Sequence, residues 1–348
     1  MASPSMKDVA SRAGVSLGTV SNVLNRPELV SDRARTAVQA AIQELGFVRN
    51  ESARALRTGR TNTIAYVCLD AANPFFTDVA RGVEDAAGAT GAAVFLCNSD
   101  ESADRENRYL DLLEQQRVLG ILITPVDPTS ERLLQPRRRG TPIVVVDRVS
   151  PRHDQCSVSV DDVHGGELGV GHLIGMGHKR IGFVGGPMLL GQVTDRLAGA
   201  LHAMSVAGRD TEDLVVIETE APTVSEGREA GARIAGLPGS QRPTAVLCAN
   251  DLLALGVLHE TLQLGMRVPK DLAIVGYDDI EFAAAAAVPL TSVRQPRHKL
   301  GLTAGRLLLE EVAGDPDHDH QQVQFAPELV VRASTSGKKR ARRHAERG

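Results

Sequence analysis

Several side chains in this sequence have the type and spacing to do chemistry, and that chemistry is binding. Asp147 and Arg148 follow the apolar run Ile143–Val146, Asn250 and Asp251 follow Ala245–Cys248, and Asp278 closely follows Ala273–Gly276. Each hydroxyl of a polyol both donates and accepts, so it is matched by carboxylates, amides and guanidinium groups placed side by side. Phe75 and Phe76 add a flat apolar wall for the C–H face of such a molecule. No assembled catalytic set accompanies them. The sequence has no G-x-G-x-x-G after a strand-like run, no G-x-x-x-x-G-K-[ST], no H-E-x-x-H and no G-x-S-x-G, so neither an enzyme nor a cofactor is expected. Asp317-His318-Asp319-His320 carries metal-ligand types but sits in a Gly/Pro/Asp-rich turn, so it reads as a solvated loop with no metal. Cys68, Cys97, Cys156 and Cys248 are far apart with no C-x-x-C pair, which reads as small core thiols in a reducing compartment.

Charge is unevenly placed. The 348 residues carry a net −4, but residues 1–60 hold nine Lys/Arg against five Asp/Glu, and residues 337–348 hold six against one. The stretch between holds 24 basic and 37 acidic side chains. Basic ends on an acidic body suit a polyanion met locally by the ends and repelled by the body. With 42% apolar and 24% charged residues the chain has an ordinary globular mixture, enough for about two to three domains. No apolar run approaches the roughly 18 residues of a membrane span, and MASPSMKDVASRAG lacks the apolar centre of a secretory signal. A cytoplasmic protein is expected.

Three textures and a tail must position these groups. Residues 1–48 read as helices only. Ser5 opens a capping-box-like start before Val9, Ala10 and Ala13. Ser16 caps a second helix with Val20, Val23 and Leu24 on one face, and Ser31 caps a third that ends at Gly46. This is the helix-turn-helix plan. Residues 49–60 are basic with one large apolar residue, Leu56, and read as a linker with helix propensity but no partner, a candidate for folding on binding. From 61 to 333 short apolar runs alternate with helical stretches in two successive sets, which predicts two doubly wound parallel-sheet lobes with a ligand cleft between them. Lobe 1 is expected at about 61–160 plus 294–333 and lobe 2 at about 161–293. Residues 334–348 read as a basic disordered tail, and their contribution to DNA binding is open.

The headpiece motif is specific. Asp8-Val9-Ala10, Ala13-Gly14-Val15-Ser16, Thr19-Val20-Ser21 and Val23-Leu24-Asn25 stand in the spacing of the lactose-repressor (LacI/GalR) family of bacterial transcription factors, which the chain resembles. Asn50, Ala53, Arg54 and Leu56 follow in the register of that family's hinge, with Arg49 where a proline is usual. Asn73-Pro74-Phe75-Phe76, Val146-Asp147-Arg148, Arg196-Leu197-Ala198-Gly199, Cys248-Ala249-Asn250-Asp251 and Val275-Gly276-Tyr277-Asp278-Asp279 resemble the family's type I periplasmic-binding-protein-like body. The resemblance covers residues 5 to about 333.

The resemblance implies a homodimeric, ligand-responsive repressor whose headpieces bind a palindromic operator and which a small molecule, a sugar or related polyol, releases. Base contact falls on Leu17, Gly18 and Asn22 near the start of the recognition helix, where Asn22 can pair bidentately with adenine and Leu17 can meet a thymine methyl. Ser16, Thr19, Ser21 and Asn25 suit phosphate contact. Asn50, Ala53, Arg54 and Leu56 would form the minor-groove hinge, with Leu56 as an apolar wedge. Effector contact falls on Asn73, Phe75, Phe76, Asp147, Arg148, Arg196, Asn250, Asp278 and Gln295. An aromatic usual before Ser225-Glu226-Gly227 is replaced near that position by Pro222. Control by a protein or a phosphorylated-metabolite corepressor is the alternative. A sugar-transport protein would share the body but has no use for residues 1–60.

Overall fold

The computed structural model describes residues 4–48, 60–314 and 318–336, and these fall into two compact units divided at Thr61. The hinge residues Asn50, Ala53, Arg54 and Leu56, along with Asp317 and the basic residues 338–347, lie outside the described residues.

The first unit is helical. α1 (Met6–Ala13) starts at a reciprocal cap: Ser5 Oγ accepts from the Asp8 amide, and the Ser5 amide donates to Asp8 Oδ2 at 2.7 Å. Gly14 ends it at φ +66°, a left-handed turn that glycine adopts without steric penalty. α2 (Leu17–Asn25) begins at Ser16, whose Oγ accepts from Thr19 N at 3.0 Å, and α3 (Asp32–Leu45) begins at Ser31. Val9, Ala10, Val20, Val23, Val38 and Ala41 form the buried centre. Six small side chains make a small core, so this unit has little stability to spare. Arg12 and Glu44 pair at 2.6 Å between α1 and α3, but both are more than half exposed, so the pair adds little.

The second unit contains two six-stranded sheets. The first is built from β1 (Thr63–Cys68), β2 (Ala93–Asn98), β3 (Gly120–Ile123), β4 (Ile143–Val146) and β5 (Ser157–Val160). Its crossovers include α4 (Pro74–Gly88), α5 (Ala103–Gln115) and the short α6 (Leu134–Arg138). The second is built from β6 (Ile181–Gly185), β7 (Leu214–Glu218), β8 (Ala245–Cys248), β9 (Ala273–Asp278) and β10 (Thr291–Arg294). α7 (Asp162–Gly175), α8 (Gly191–Val206), α9 (Val224–Gly236), α10 (Asp251–Gln263) and α11 (Glu281–Ala285) belong to this half. α12 (Arg297–Ala313) then returns to pack on α4 and the first sheet, and β11 (Gln322–Phe325) and β12 (Glu328–Val330) complete the two edges.

Strand order is 11-5-4-3-1-2 in one sheet and 12-10-9-8-6-7 in the other, parallel except where β12 runs antiparallel to β10. Both sheets therefore reverse strand order beside their first strands, and their carboxyl ends are where a doubly wound fold binds ligand. Strands β1, β3, β4, β8 and β9 are apolar and almost wholly buried, as parallel strands covered on both faces must be.

Three expectations about chain segments need correction. Residues 328–333, expected with the first lobe, lie on the second: Glu328–Val330 pairs with β10, and Arg294 reaches Glu328 at 3.1 Å. Ser334, Thr335 and Ser336 are not a disordered tail. Ser334 Oγ donates to Ile274 O at 2.6 Å and accepts from Thr291 N at 2.7 Å, and Ser334 and Thr335 are buried. The segment of His318 and His320 is not a purely solvated loop: His318 is half-buried, and a ring nitrogen of each histidine faces Cys156 Sγ, although His320 itself stays exposed. In each case the cause is a hydrogen bond or packing partner far away in sequence.

Candidate DNA-binding surface and effector cleft

α2 presents two faces. Val20 and Val23 are buried, while Leu17, Gly18, Asn22 and Asn25 are exposed and Ser16 caps the start. Thr19 and Ser21 are half-buried. Ser16 Oγ and Thr19 Oγ1 lie 2.9 Å apart, and Asn25 Nδ2 donates to Ser21 O at 2.7 Å. Leu17, at 45% exposure, is a large apolar side chain at a helix start where intramolecular packing does not need it.

Gly18 has room for a side chain. A Cβ there would meet only Ser16 Oγ, at an ordinary 3.6 Å. Nothing inside the protein excludes alanine, although glycine in a helix costs about 1 kcal/mol relative to it. Gly18→Ala is therefore expected to stabilise the headpiece by about that amount in a thermal or urea melt. A loss of stability would show that the glycine serves the fold, whereas a gain accompanied by weaker operator binding would place the constraint on the DNA side.

The cleft between the two sheets of the second unit encloses about 500 Å³, including its open mouth. Asn73, Phe75, Phe76, Asp147, Arg196, Asn250 and Asp278 all line it. Asn73 is the N-cap of α4, accepting from Phe75 N at 3.0 Å and donating to Asp278 Oδ2 at 3.3 Å. Phe75 and Phe76 are buried edge to face, with ring centroids 5.0 Å apart. Asn250 caps α10, accepting from Leu253 N at 2.8 Å and donating to Pro222 O at 2.9 Å.

Arg196 organises the charge. It is 6% exposed; Nε donates to Asp162 Oδ1 at 2.7 Å, Nη1 donates to Ala249 O at 2.6 Å, and the guanidinium lies 3.7 Å from the Tyr277 ring centroid. Asp278 Oδ1 is 4.0 Å from Nη1 and accepts from Gln295 Nε2 at 2.7 Å. Asp147, Asp162 and Asp278 are all buried around this one cation. Burial, followed by the charge of Asp162, pushes the Asp147 carboxyl up to about 7, against the pull of Arg196. Burial raises Asp278 as well, and Arg196 and Gln295 offset it. Asp147 Oδ2 accepts from Gln192 Nε2 at 2.9 Å, while its buried Oδ1 has no hydrogen-bond partner among the described residues. A buried acceptor lining a cavity is ready for a ligand hydroxyl.

The backbone is strained at the same place. Asp147 sits at φ +64°, Asp278 at φ +101° and Glu101, another cleft residue, at φ +56°. Non-glycine residues rarely adopt such angles, and those that do concentrate at ligand clamps.

Residues 5–50 match the family described as bacterial regulatory proteins, lacI family, and residues 170–335 match the periplasmic binding protein-like domain. The chain is 36% identical to the HTH-type transcriptional repressor PurR of Proteus mirabilis over 95% of its own length and 96% of that protein. It is 35% identical to the ribose operon repressor of Escherichia coli K12 over 94% and 99%. The chain belongs to the LacI family of bacterial regulatory proteins. Its fold superposes on the lac repressor dimer bound to operator and the anti-inducer ONPF with a TM-score of 0.82, at 27% identity, covering 96% of this chain and 99% of that one. As a LacI-family chain it is a DNA-binding transcriptional repressor with a helix-turn-helix headpiece and a periplasmic-binding-protein-like body. Among the described residues no helix is long and apolar enough to cross a membrane.

Two residues assigned to the cleft from the sequence stand apart from its lining. Arg148 pairs with Asp195 at 2.6 Å and packs over Gly191, where a Cβ would lie 2.5 Å from the guanidinium carbon. Gln295 is buried behind Asp278 and orients it. Asp251, which shares a strand end with Asn250, instead accepts from Ile280 N and Ser292 Oγ inside the second half of the body. Gln192, Glu101 and Asp70 line the cleft without having been singled out, and Asp162 supports it from behind. Gln192 lies at the start of the helix after β6, as Asn73 caps the start of the helix after β1. That shared placement is the signal from which it could have been found.

The buried acids set a pH dependence. Burial is the leading cause that pushes the carboxyls of Asp147, Glu101 and Glu106 to about 7 each, well above their ordinary values. Folded pKa values above unfolded ones mean that the fold favours the protonated forms. Their contribution to stability is complete below about pH 4 and is lost as pH rises through about 7. The midpoint of thermal unfolding should therefore fall between about pH 5 and 8, and Asp147→Asn should flatten that slope. An unchanged slope in the variant would remove Asp147 from this account.

Proposed function

We propose that this chain binds a palindromic operator as a homodimer and is released from it by a small polyol, most simply a pentose or related sugar, bound in the interlobe cleft. The observation that carries the reading is the unpartnered Asp147 Oδ1 beside Arg196, Asn250 and Asp278, with Phe75 and Phe76 as an apolar wall. Charged acceptors and donors placed beside an aromatic pair suit a hydroxyl-rich ring. The name of the ribose operon repressor supports the pentose choice. Two-fold symmetry of the dimer would be mirrored in the operator half-sites.

Control follows from bonds that already cross between the lobes. Gln192 to Asp147, Asn73 to Asp278 and Arg148 to Asp195 each join residues from opposite halves of the body. A ligand that takes over Asp147 and Asp278 competes with two of these bonds and shifts the balance of lobe arrangements. Only a difference in affinity between the arrangements can change DNA occupancy. Leu17, Gly18 and Asn22 would read base edges, and Ser16, Thr19, Ser21 and Asn25 would hold phosphates. Leu56 of the hinge would wedge into the minor groove, so Leu56→Ala should weaken operator binding while leaving effector binding intact. The chain would work in the cytoplasm without catalysis or a cofactor.

The test is the melting midpoint of the full chain against pentoses, hexoses, disaccharides, polyols and nucleosides. A ligand at 100 times its dissociation constant adds about 2.7 kcal/mol, a shift of roughly 5 °C or more for a body of this size. A shift that disappears in Asp147→Ala confirms the cleft, and a flat panel removes the sugar reading.

A further inference from the structure

At the far end of α12 from the cleft, four side chains with metal-ligand chemistry converge. Cys156 stands just before β5, Glu311 in the last turn of α12, and His318 and His320 in the segment leading to β11. One ligand atom from each lies within 4.8 Å of all the others. Cys156 Sγ is 3.3 Å from His318 Nε2 and 3.7 Å from His320 Nδ1, and His320 Nδ1 is 3.4 Å from Glu311 Oε1.

We infer that Cys156, Glu311, His318 and His320 form a structural zinc site. Zinc binds sulfur at about 2.3 Å and nitrogen or oxygen at about 2.0–2.2 Å in a tetrahedron. The edges of that tetrahedron come out at about 3.3–3.6 Å from these bond lengths. Cys156–His318 at 3.3 Å and His320–Glu311 at 3.4 Å match such edges, Cys156–His320 at 3.7 Å lies just above them, and the remaining pairs stay within 4.8 Å, so side-chain rotations draw the set around one ion. A thiolate with two imidazoles selects zinc over magnesium or calcium, which prefer oxygen. Four protein ligands leave no open position, as in structural rather than catalytic sites.

The surroundings fit a metal better than a bare hydrogen-bonded cluster. Glu311 Oε1 is buried with no hydrogen-bond partner among the described residues, although two imidazoles stand near it. The Gln321 amide donates to Cys156 Sγ at 3.3 Å, a contact that steadies a thiolate. His318 turns Nε2 toward the cluster and leaves Nδ1 facing Glu310 Oε2, 3.8 Å away, a carboxylate that a small side-chain shift would bring to the orienting position usual behind zinc-bound imidazoles. The two imidazole planes meet at 88° and so do not stack, while His318 Nε2 and His320 Nδ1 both face Cys156 Sγ.

The ion would join three pieces of chain: the start of β5, the end of α12 and the approach to β11. It would thereby hold the edge strand β11 in register with β5, Gln322 against Ser157. It would act independently of the effector. Arg297, at the cleft end of α12, donates to Asp278 O. Glu311 is 14 residues further along this helix, about 21 Å at the α-helical rise.

The full-length chain is stripped with a chelator, dialysed against zinc and assayed by elemental analysis. One zinc per chain is expected, along with a thiolate-to-metal charge-transfer band when cobalt(II) replaces it. His320→Ala, at an exposed residue whose loss does not threaten folding, should lose both, as should Cys156→Ser. Cys97→Ser should keep both. Zinc should raise the melting midpoint of the wild-type chain but not that of His320→Ala. Failure of the folded wild-type chain to retain zinc overturns the site, leaving a hydrogen-bonded thiol–imidazole cluster only. Full retention by His320→Ala also overturns it.

Discussion

Arg196→Ala is expected to abolish the effector response and to lower the melting midpoint of the body on the order of 10 °C. The size follows from burial. Arg196 is 6% exposed and neutralises a group of three buried carboxylates, pairing with Asp162 directly and standing near Asp278. Removing one partner of a buried pair leaves uncompensated charge and costs about 3–5 kcal/mol. Arg196→Lys separates the two roles. It retains a cation and most of the stability but loses the planar fork that holds Asp162 and the Ala249 carbonyl together, so ligand affinity falls with a smaller change in midpoint. A calorimetric comparison of both variants checks this. Wild-type stability in Arg196→Ala would show that the acids are neutral without it. The seat of Arg196 depends on a close helix crossing: a Cβ at Gly199 would lie 1.8 Å from Val163 O, so Gly199→Ala must push α8 from α7 and displace Arg196.

Asn22→Ala is expected to weaken operator binding with no loss of fold. Asn22 is exposed on α2, outside the Val20/Val23 core, so its truncation leaves the headpiece packing untouched. A bidentate amide–adenine pair contributes about 1–3 kcal/mol of discrimination. Two headpieces on two half-sites double this to about 2–6 kcal/mol for a dimer. The loss should fall on one base position in each half-site, as relaxed preference there, and the slope of affinity against salt should be unchanged because no phosphate charge is lost. Binding measured to duplexes selected from random DNA, with each base varied in turn, checks both. A uniform loss across all sequences would make Asn22 a backbone contact instead.

Local signals carried far in the sequence. Ser5, Ser16 and Ser31 each cap the helix that their spacing foretold, and the apolar β-branched runs became buried parallel strands because such runs can only be covered on both faces. Asp147, Asn250 and Asp278 were recognisable at strand ends and Asn73 through the family resemblance, and the fold brings them to one cleft. The signals that failed were non-local. Arg148 shares its strand end with Asp147, but Asp195, 47 residues later, draws it aside. Gln192 is marked in the sequence only by its place at a helix start, and its importance lies in reaching Asp147 across the cleft. His318 and His320 stand in a polar turn that looks solvated until Cys156, more than 160 residues earlier, is found beneath them. β12 is too short for periodicity to assign, and its place is set by pairing with β10.

The most direct measurement is the operator affinity of the full-length chain, by fluorescence anisotropy, with and without each sugar or polyol that shifts its melting midpoint. One compound is expected to lower operator affinity at least about tenfold, a coupling of about 1.4 kcal/mol. Asp147→Ala is expected to keep its affinity for DNA but lose this response. Binding of a sugar in the cleft with operator affinity unchanged would contradict release by the effector.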